Sequence, residues 1–220
     1  MHKTVHNLIN IQNFIKSKQS VLKNNYTVPK IIAVSKTFKL NHILPLIEYG
    51  HVDYGENKVQ EAVEKWSEIK STNNKIKLHL IGKLQTNKVK ISLKIFDYIH
   101  SLDNEKLAKK ISDEQIKQNL KPKLFIQINI GNELQKSGIQ EEKLVEFYNY
   151  CKELNLNIVG IMCIPPIDDD PKASFLKMSN LKEKMKFKEI SMGMSSDYLD
   201  AVKYNSSFLR IGSSIFGPRS

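Results

Sequence analysis

KLHLIGKLQTNKVKISLKIFDYIHSLDNEKLAKKISDEQIKQNLKPKLFIQINI, residues 77–130, carries the fold in small. KLHLIG (77–82), DYIHSL (97–102) and PKLFIQINI (122–130) are short apolar runs between breakers, the pattern of strands buried on both faces. Between them, NKVKISLKIF (87–96) and NEKLAKKISDEQIKQ (104–118) repeat apolar residues every three or four positions, as one face of a helix does. Asp103 is placed to cap the second helix. Strands separated by whole helices cannot form hairpins, so they pair in parallel.

The same alternation extends in both directions. Upstream, residues 4–23 carry Val5, Leu8, Ile9, Ile11, Ile15 and Leu22 at helical spacing. IIAVSK (31–36) reads as a strand, LNHILPLIEYG (40–50) as a helix capped by Gly50 and kinked or bounded at Pro45, HVDYGE (51–56) as a strand and NKVQEAVEKWSEIK (57–70) as a helix. Downstream, EEKLVEFYNYCKEL (141–154), KASFLKMSNLKEKMK (172–186) and SDYLDAVKYN (196–205) read as helices. NIVGIMCI (157–164), KEISMG (188–193) and SFLRIG (207–212) read as strands. Eight strands with a helix between each pair predict an α/β fold, a single (β/α)8 TIM barrel spanning residues 1–220. The helix within residues 1–28 is extra and is expected to pack on the barrel, covering its bottom. The competing architecture is an open doubly wound sheet, whose G-x-G-x-x-G fingerprint after the first strand is missing.

Composition narrows the function. With 40% hydrophobic and 26% charged residues, the chain has the make-up of a soluble globular protein. A net charge of +11 permits nucleic-acid or anionic-metabolite partners. The lysines, however, are interleaved with Asp and Glu along helices, as solvated faces are, and no specific nucleic-acid partner is expected. Cys151 and Cys163 have no metal or redox spacing and read as buried thiols of a reducing compartment. Neither a signal-like apolar segment nor a membrane-length run is present, so a cytoplasmic location is expected. Of 34 basic residues only Arg210 and Arg219 are arginines. A rigid guanidinium where lysine otherwise suffices suggests a position that needs its geometry, against the plainer reading of coding bias.

Barrel chemistry sits at the C-terminal ends of the strands, with phosphate often held after strands seven and eight. Lys36 ends the apolar run of strand one, where desolvation would favour a free amine able to attack a carbonyl. Strand two delivers Asn57. Strand three delivers His79, whose plainer reading is a satisfied core histidine. Strand six delivers Met162, whose plainer reading is packing. Lys136 lies on the polar loop after strand five. Ser195 and Ser196 follow strand seven, and Gly212, Ser213 and Ser214 follow strand eight. Two Gly/Ser turns there bracket a phosphate-sized position. A nucleophilic lysine opposite a phosphate cradle suggests pyridoxal 5′-phosphate, with Arg210 pointing toward its ring.

IIAVSKT, DYGENKVQEA, LHLIGKLQTNK, LQKSGI, GIMCIP, ISMGMSSDYLDAV and LRIGSSIFGPR resemble, in order and spacing, the pyridoxal phosphate homeostasis proteins, one-domain relatives of the alanine racemase barrel. The resemblance implies a cofactor held as a Schiff base by Lys36, with its phosphate on Ser195, Gly212 and Ser213 and Ser196 nearby. It implies Arg210 at the pyridine nitrogen, a pocket lined by Asn57, His79 and Met162, and Lys136 as a secondary candidate for handling the cofactor. Ser213 stands where many members have Thr, and Cys163 where Ala is common. A guanidinium beside the ring nitrogen opposes its protonation and weakens the ring as an electron sink. Related racemases add a tyrosine base from a second domain, which this chain does not supply. Tyr54 and Tyr204 belong to the barrel itself. The reading is therefore a monomeric carrier that delivers pyridoxal phosphate to apo-enzymes, with little or no turnover of its own. The alternatives are a racemase-like enzyme and, from the charge, a nucleic-acid-binding protein.

Overall fold

The computed structural model describes residues 1–21, 28–133, 135–167 and 169–218. Leu22 and Arg219, singled out in the sequence, lie outside them. The strands are β1 (Lys30–Val34), β2 (Asp53–Glu56), β3 (Lys77–Leu80), β4 (Tyr98–Leu102), β5 (Lys123–Ile128), β6 (Ile158–Cys163), β7 (Glu189–Met194) and β8 (Phe208–Ile211). Each pairs in parallel with the next, and β8 closes onto β1 to complete a barrel. The runs read as strands are apolar throughout because both faces are buried. Residues of one parity, such as Ile32, Val34, Tyr98, Phe125, Met162 and Phe208, fill the barrel interior. The other parity packs outward against the helices.

The helices are α1 (Lys3–Val21), α2 (Leu40–Glu48), α3 (Val59–Thr72), α4 (Val89–Ile95), α5 (Glu105–Gln118), α6 (Leu144–Glu153), α7 (Pro171–Met185), α8 (Tyr198–Lys203) and α9 (Ser213–Phe216). α1 does not cover the bottom of the barrel. It packs against α2, α8 and α9, and Asn7 Nδ2 donates to the Ile215 carbonyl at 2.9 Å. The reason is that α9, which no sequence pattern announced, has only four residues and leaves the β8–β1 flank open. The buried side chains of Val5, Leu8, Ile11 and Ile15 close it.

Two local expectations also change. The cap of α5 is Asn104, which accepts the Leu107 N–H at 2.9 Å from an extended backbone, and not Asp103. Pro45 does not end α2, which continues to Glu48, with Gly50 just beyond at φ +95°. On α5, Lys109–Asp113 and Lys110–Glu114 pair at 3.0 and 2.9 Å, which fits lysines on a solvated helix face.

At Gly160, β6 passes close against the Glu189 backbone of β7. A Cβ there would lie 1.9 Å from the Glu189 carbonyl oxygen, a backbone atom that cannot rotate away. Gly160→Ala is expected to cost about 3 kcal/mol, the upper range for overpacking. The urea midpoint of the purified variant measures it, and an unshifted midpoint would refute the tight approach.

Candidate functional site

Strand parity builds the site. Ile32 and Val34 point inward, so Lys36, two residues on, follows them to the barrel mouth. In the same way Gly55 leads to Asn57, and Phe208 leads to Arg210 and Gly212. Lys36, Asn57, Ser195, Ser196, Arg210, Gly212 and Ser213 surround one cavity of about 490 Å³ at the C-terminal ends of the strands. Val34, Ile81, Ile164, Met194 and Ser214 also line it, and no carboxylate is among the described lining residues. A cavity of about 410 Å³ between α3 and α4 lies in the outer layer, away from these groups.

The turn carrying Lys36 is tightly specified. Thr37 has φ +70°, an unfavourable conformation for a β-branched residue. Its N–H donates to Glu61 Oε1 at 2.6 Å. Lys65 Nζ then joins Glu61 Oε1, Glu56 Oε1 and the Ser35 carbonyl at 2.9, 3.0 and 2.9 Å. The Ser35 hydroxyl and the Trp66 indole also donate to Glu56 Oε1, at 2.7 and 2.9 Å. The backbone on either side of Lys36 is thus fixed by a part-buried ion-pair cluster behind the strand. Opposite, Gly82 lets the Asn57 backbone come close, since a Cβ there would sit 2.4 Å from the Asn57 carbonyl oxygen.

The far side of the cavity is rich in donors. A bulge between Ser191 and Met194 turns β7 outward through Gly193, at φ +92°. A Cβ on Gly193 would lie 2.6 Å from the Ala201 Cβ, so only glycine fits. The turn ends at Ser195, whose hydroxyl oxygen accepts the N–H groups of Gly212 and Ser214 at 3.2 and 3.4 Å. Those N–H groups already serve one oxygen atom, as they would serve an oxyanion.

Arg210 is 5% exposed. Its guanidinium donates to the Ser191 carbonyl at 2.7 Å, the Ser191 hydroxyl at 2.8 Å and the Cys163 carbonyl at 2.7 Å. Burial holds its pKa below the usual value, while the Asp197 carboxylate works against that shift. A buried cation held by dipoles raises the affinity of the cavity for an electron pair or an anion. Cys163, directly below, is a buried thiol pushed up to about 12 by burial.

Two predicted residues are not among the lining residues. His79 is fully buried within the barrel and is bonded to Asp53 and His100. Met162 is fully buried, two residues below Ile164, which takes its place at the mouth. Both have inward parity but sit one layer too deep. Lys136 lines an adjoining space of about 350 Å³ that shares Asn57, Ile81 and Ile164 with the main cavity. Its amine pairs with Glu133. Neither of the two barrel tyrosines named in the sequence lines the cavity, as expected of residues that the sequence does not place opposite Lys36. Tyr54 is buried outside the barrel and donates to the His51 carbonyl at 3.1 Å, and Tyr204 packs by Phe175. Ser214 was legible within the Gly-Ser-Ser turn. Met194, Ile81 and Ile164 had no signal beyond parity.

A closed parallel barrel with an amine on the first strand, a guanidinium on the eighth and two hydroxyl-rich turns after the last two strands defines the alanine racemase-like barrels. The family model for the alanine racemase N-terminal domain matches residues 7–220. The chain belongs to the pyridoxal phosphate homeostasis protein family. It is 35% identical to the member from Haemophilus influenzae, covering 98% of this chain and 95% of that one. It is 32% identical to the Escherichia coli K12 member, covering 100% and 98%. PipY of Synechococcus elongatus, solved with pyridoxal phosphate bound, superposes with a TM-score of 0.78 at 30% identity, covering 92% of this chain and 100% of that one. Alanine racemase of Clostridium difficile shares the fold, with a TM-score of 0.72 at 18% identity, and this chain covers 98% of itself and 56% of the racemase.

Proposed function

We propose that this protein binds pyridoxal 5′-phosphate at the barrel mouth and holds and delivers it, maintaining the cofactor pool and with it amino-acid and keto-acid balance. The observation that carries the reading is the convergence of Lys36, Arg210, Ser195 after β7 and the Gly212–Ser214 turn after β8 on one cavity, with no carboxylate among its described lining residues. That donor set fits a phosphorylated pyridine aldehyde. When bound, the group supplies an electrophilic carbonyl carbon and an aromatic ring that accepts electron density.

Lys36 would hold the group covalently, its amine being the nucleophile that the carbonyl carbon would meet in this cavity. Ser195, Ser213 and the N–H groups of Gly212 and Ser214 hold the phosphate, with Ser196 beside them. Arg210 would face the ring nitrogen, where its positive charge would disfavour protonation. Asn57, just after β2, would contact the ring, and Lys136, which lines the adjoining space, is the secondary candidate for handling the cofactor. A guanidinium at the ring nitrogen and the placement of Tyr54 and Tyr204 away from the mouth support a carrier over a racemase. Among the described residues no helix is long and apolar enough to cross a membrane. Apo-enzymes that require the cofactor are the acceptors in this reading, the location is cytoplasmic and the protein acts as a monomer.

The test is the absorption spectrum of the purified protein with added cofactor, followed by borohydride reduction and mass mapping of the adduct. A phosphopyridoxyl group on Lys36 is expected, and a colourless protein with no adduct would overturn the reading. Ser195→Ala combined with Ser213→Ala is expected to weaken binding by about tenfold or more, as loss of hydrogen bonds to a charged group does. The same covalent adduct should still form at saturation. Unchanged affinity would remove those serines from the phosphate role.

A further inference from the structure

The barrel interior contains a line of polar side chains that the chemistry above leaves unused. His79 Nε2 lies 3.0 Å from Asp53 Oδ1, His79 Nδ1 lies 3.0 Å from His100 Nε2, and His100 Nδ1 lies 3.0 Å from Ser191 Oγ. Ser191 Oγ accepts from Arg210 at 2.8 Å. Four hydrogen bonds therefore connect a carboxylate at the foot of the barrel to the guanidinium at its mouth. His79, His100 and Ser191 are fully buried.

Aromatic rings sheathe this line. Tyr98 stacks on His79 at 4.3 Å and Phe125 stacks on His100 at 4.3 Å. Phe208 packs across both imidazoles at 5.5 and 6.1 Å. Asp53, at the far end, opens on a space of about 260 Å³ that Lys16, Lys30 and His51 also line, between α1 and the foot of β1.

Donor and acceptor chemistry gives the line a direction. Arginine only donates, so Ser191 Oγ accepts a hydrogen bond from Arg210 and its own hydroxyl hydrogen is left for His100 Nδ1. A Nδ1 that accepts is bare, so neutral His100 carries its hydrogen on Nε2 and donates it to His79 Nδ1. By the same step His79 carries its hydrogen on Nε2 and donates it to ionised Asp53. Every hydrogen is assigned and all four ring nitrogens are satisfied, which burial in this sheath requires. The reverse direction would need either a charged His79 or a protonated Asp53. Burial lowers the pKa of both histidines, and for His100 the neighbouring His79 and Arg210 add to it.

We propose that Asp53, His79, His100 and Ser191 form a one-way hydrogen-bond relay that positions Arg210, so that a carboxylate at the foot of the barrel sets the placement of the cation at its mouth. These are positioning residues, and none of them lines the mouth cavity. The value of the relay to the cofactor rests on the reading that Arg210 faces the ring, whereas its existence does not.

The test begins with cofactor-free protein and nitrogen–proton correlation spectra of the histidine and arginine side chains. His79 and His100 are both expected as Nε2–H tautomers at neutral pH. Asp53→Ala removes the terminal acceptor, so His100, which Asp53 does not touch, is expected to become protonated at Nδ1 in most molecules, with shifted Arg210 signals. Asp53→Asn keeps a carbonyl acceptor and is expected to retain the parent tautomers. A Nδ1–H or doubly protonated imidazole in the parent would overturn the relay, and that measurement decides even if Asp53→Ala does not fold. Unmoved His100 and Arg210 signals in folded Asp53→Ala would overturn it as well. Pyridoxal phosphate is then added to the same samples. A shifted absorption maximum in Asp53→Ala but not in Asp53→Asn is expected, and identical spectra in all three would refute the positioning role. A parent that forms no adduct would sink the cofactor reading while leaving the tautomers, and so the relay, in place.

Discussion

Lys36→Ala is expected to abolish the borohydride-stable attachment of pyridoxal phosphate. Many other lysines surround the barrel, but Lys36 is the one that continues the inward parity of Ile32 and Val34 at the mouth. Its turn is fixed by the left-handed Thr37 and by the Glu56–Lys65–Glu61 cluster behind it. That arrangement fixes the backbone from which the amine projects, so that an aldehyde held in the cavity would meet it locally. Non-covalent binding through Arg210, Ser195 and the Gly212–Ser214 turn is expected to survive at lower affinity. Mass mapping of the reduced variant distinguishes the outcomes. An adduct that persists at its original yield on another lysine would assign the covalent role elsewhere in the cavity.

The second large effect is a loss of stability on mild acidification. Burial holds both His79 and His100 below the ordinary histidine value of 6.5, so the folded protein keeps them neutral. The unfolded chain protonates them as pH falls through that value, and therefore binds more protons than the folded one. Stability is full above about pH 6.5 and declines below it, toward the lowered folded values, by up to about 1.4 kcal/mol per pH unit for each histidine. Asp53 adds to this at lower pH. Burial works to raise its pKa, but the hydrogen bond and charge of His79 hold it below 3.8. Urea unfolding at a series of pH values measures the slope. A midpoint constant from pH 7 to pH 5 would contradict two neutral buried imidazoles.

The legibility of the site follows from these positions. Lys36, Arg210 and the two Gly/Ser turns stood out because each interrupts an apolar strand at its C-terminal end, where periodicity changes. His79 and Met162 carry the same signal of a polar or soft residue in an apolar run, yet both lie one layer deeper. Sequence spacing gives a side chain's parity but not its height in the barrel. Height depends on the stagger of neighbouring strands, and here the stagger is altered by bulges in β4, β5 and β7 pairings. The position of α1 was hidden for a similar reason. Its apolar face shows that it packs, but the surface it covers exists only because α9 stops after one turn.

The order of elements, the closed barrel and the identity of the mouth lysine were set by sequence alone, because period and parity are local properties of a chain. The line from Asp53 through His79, His100 and Ser191 to Arg210 was decided by tertiary structure. Its members come from five different strands, and only barrel closure brings them within hydrogen-bonding distance of one another.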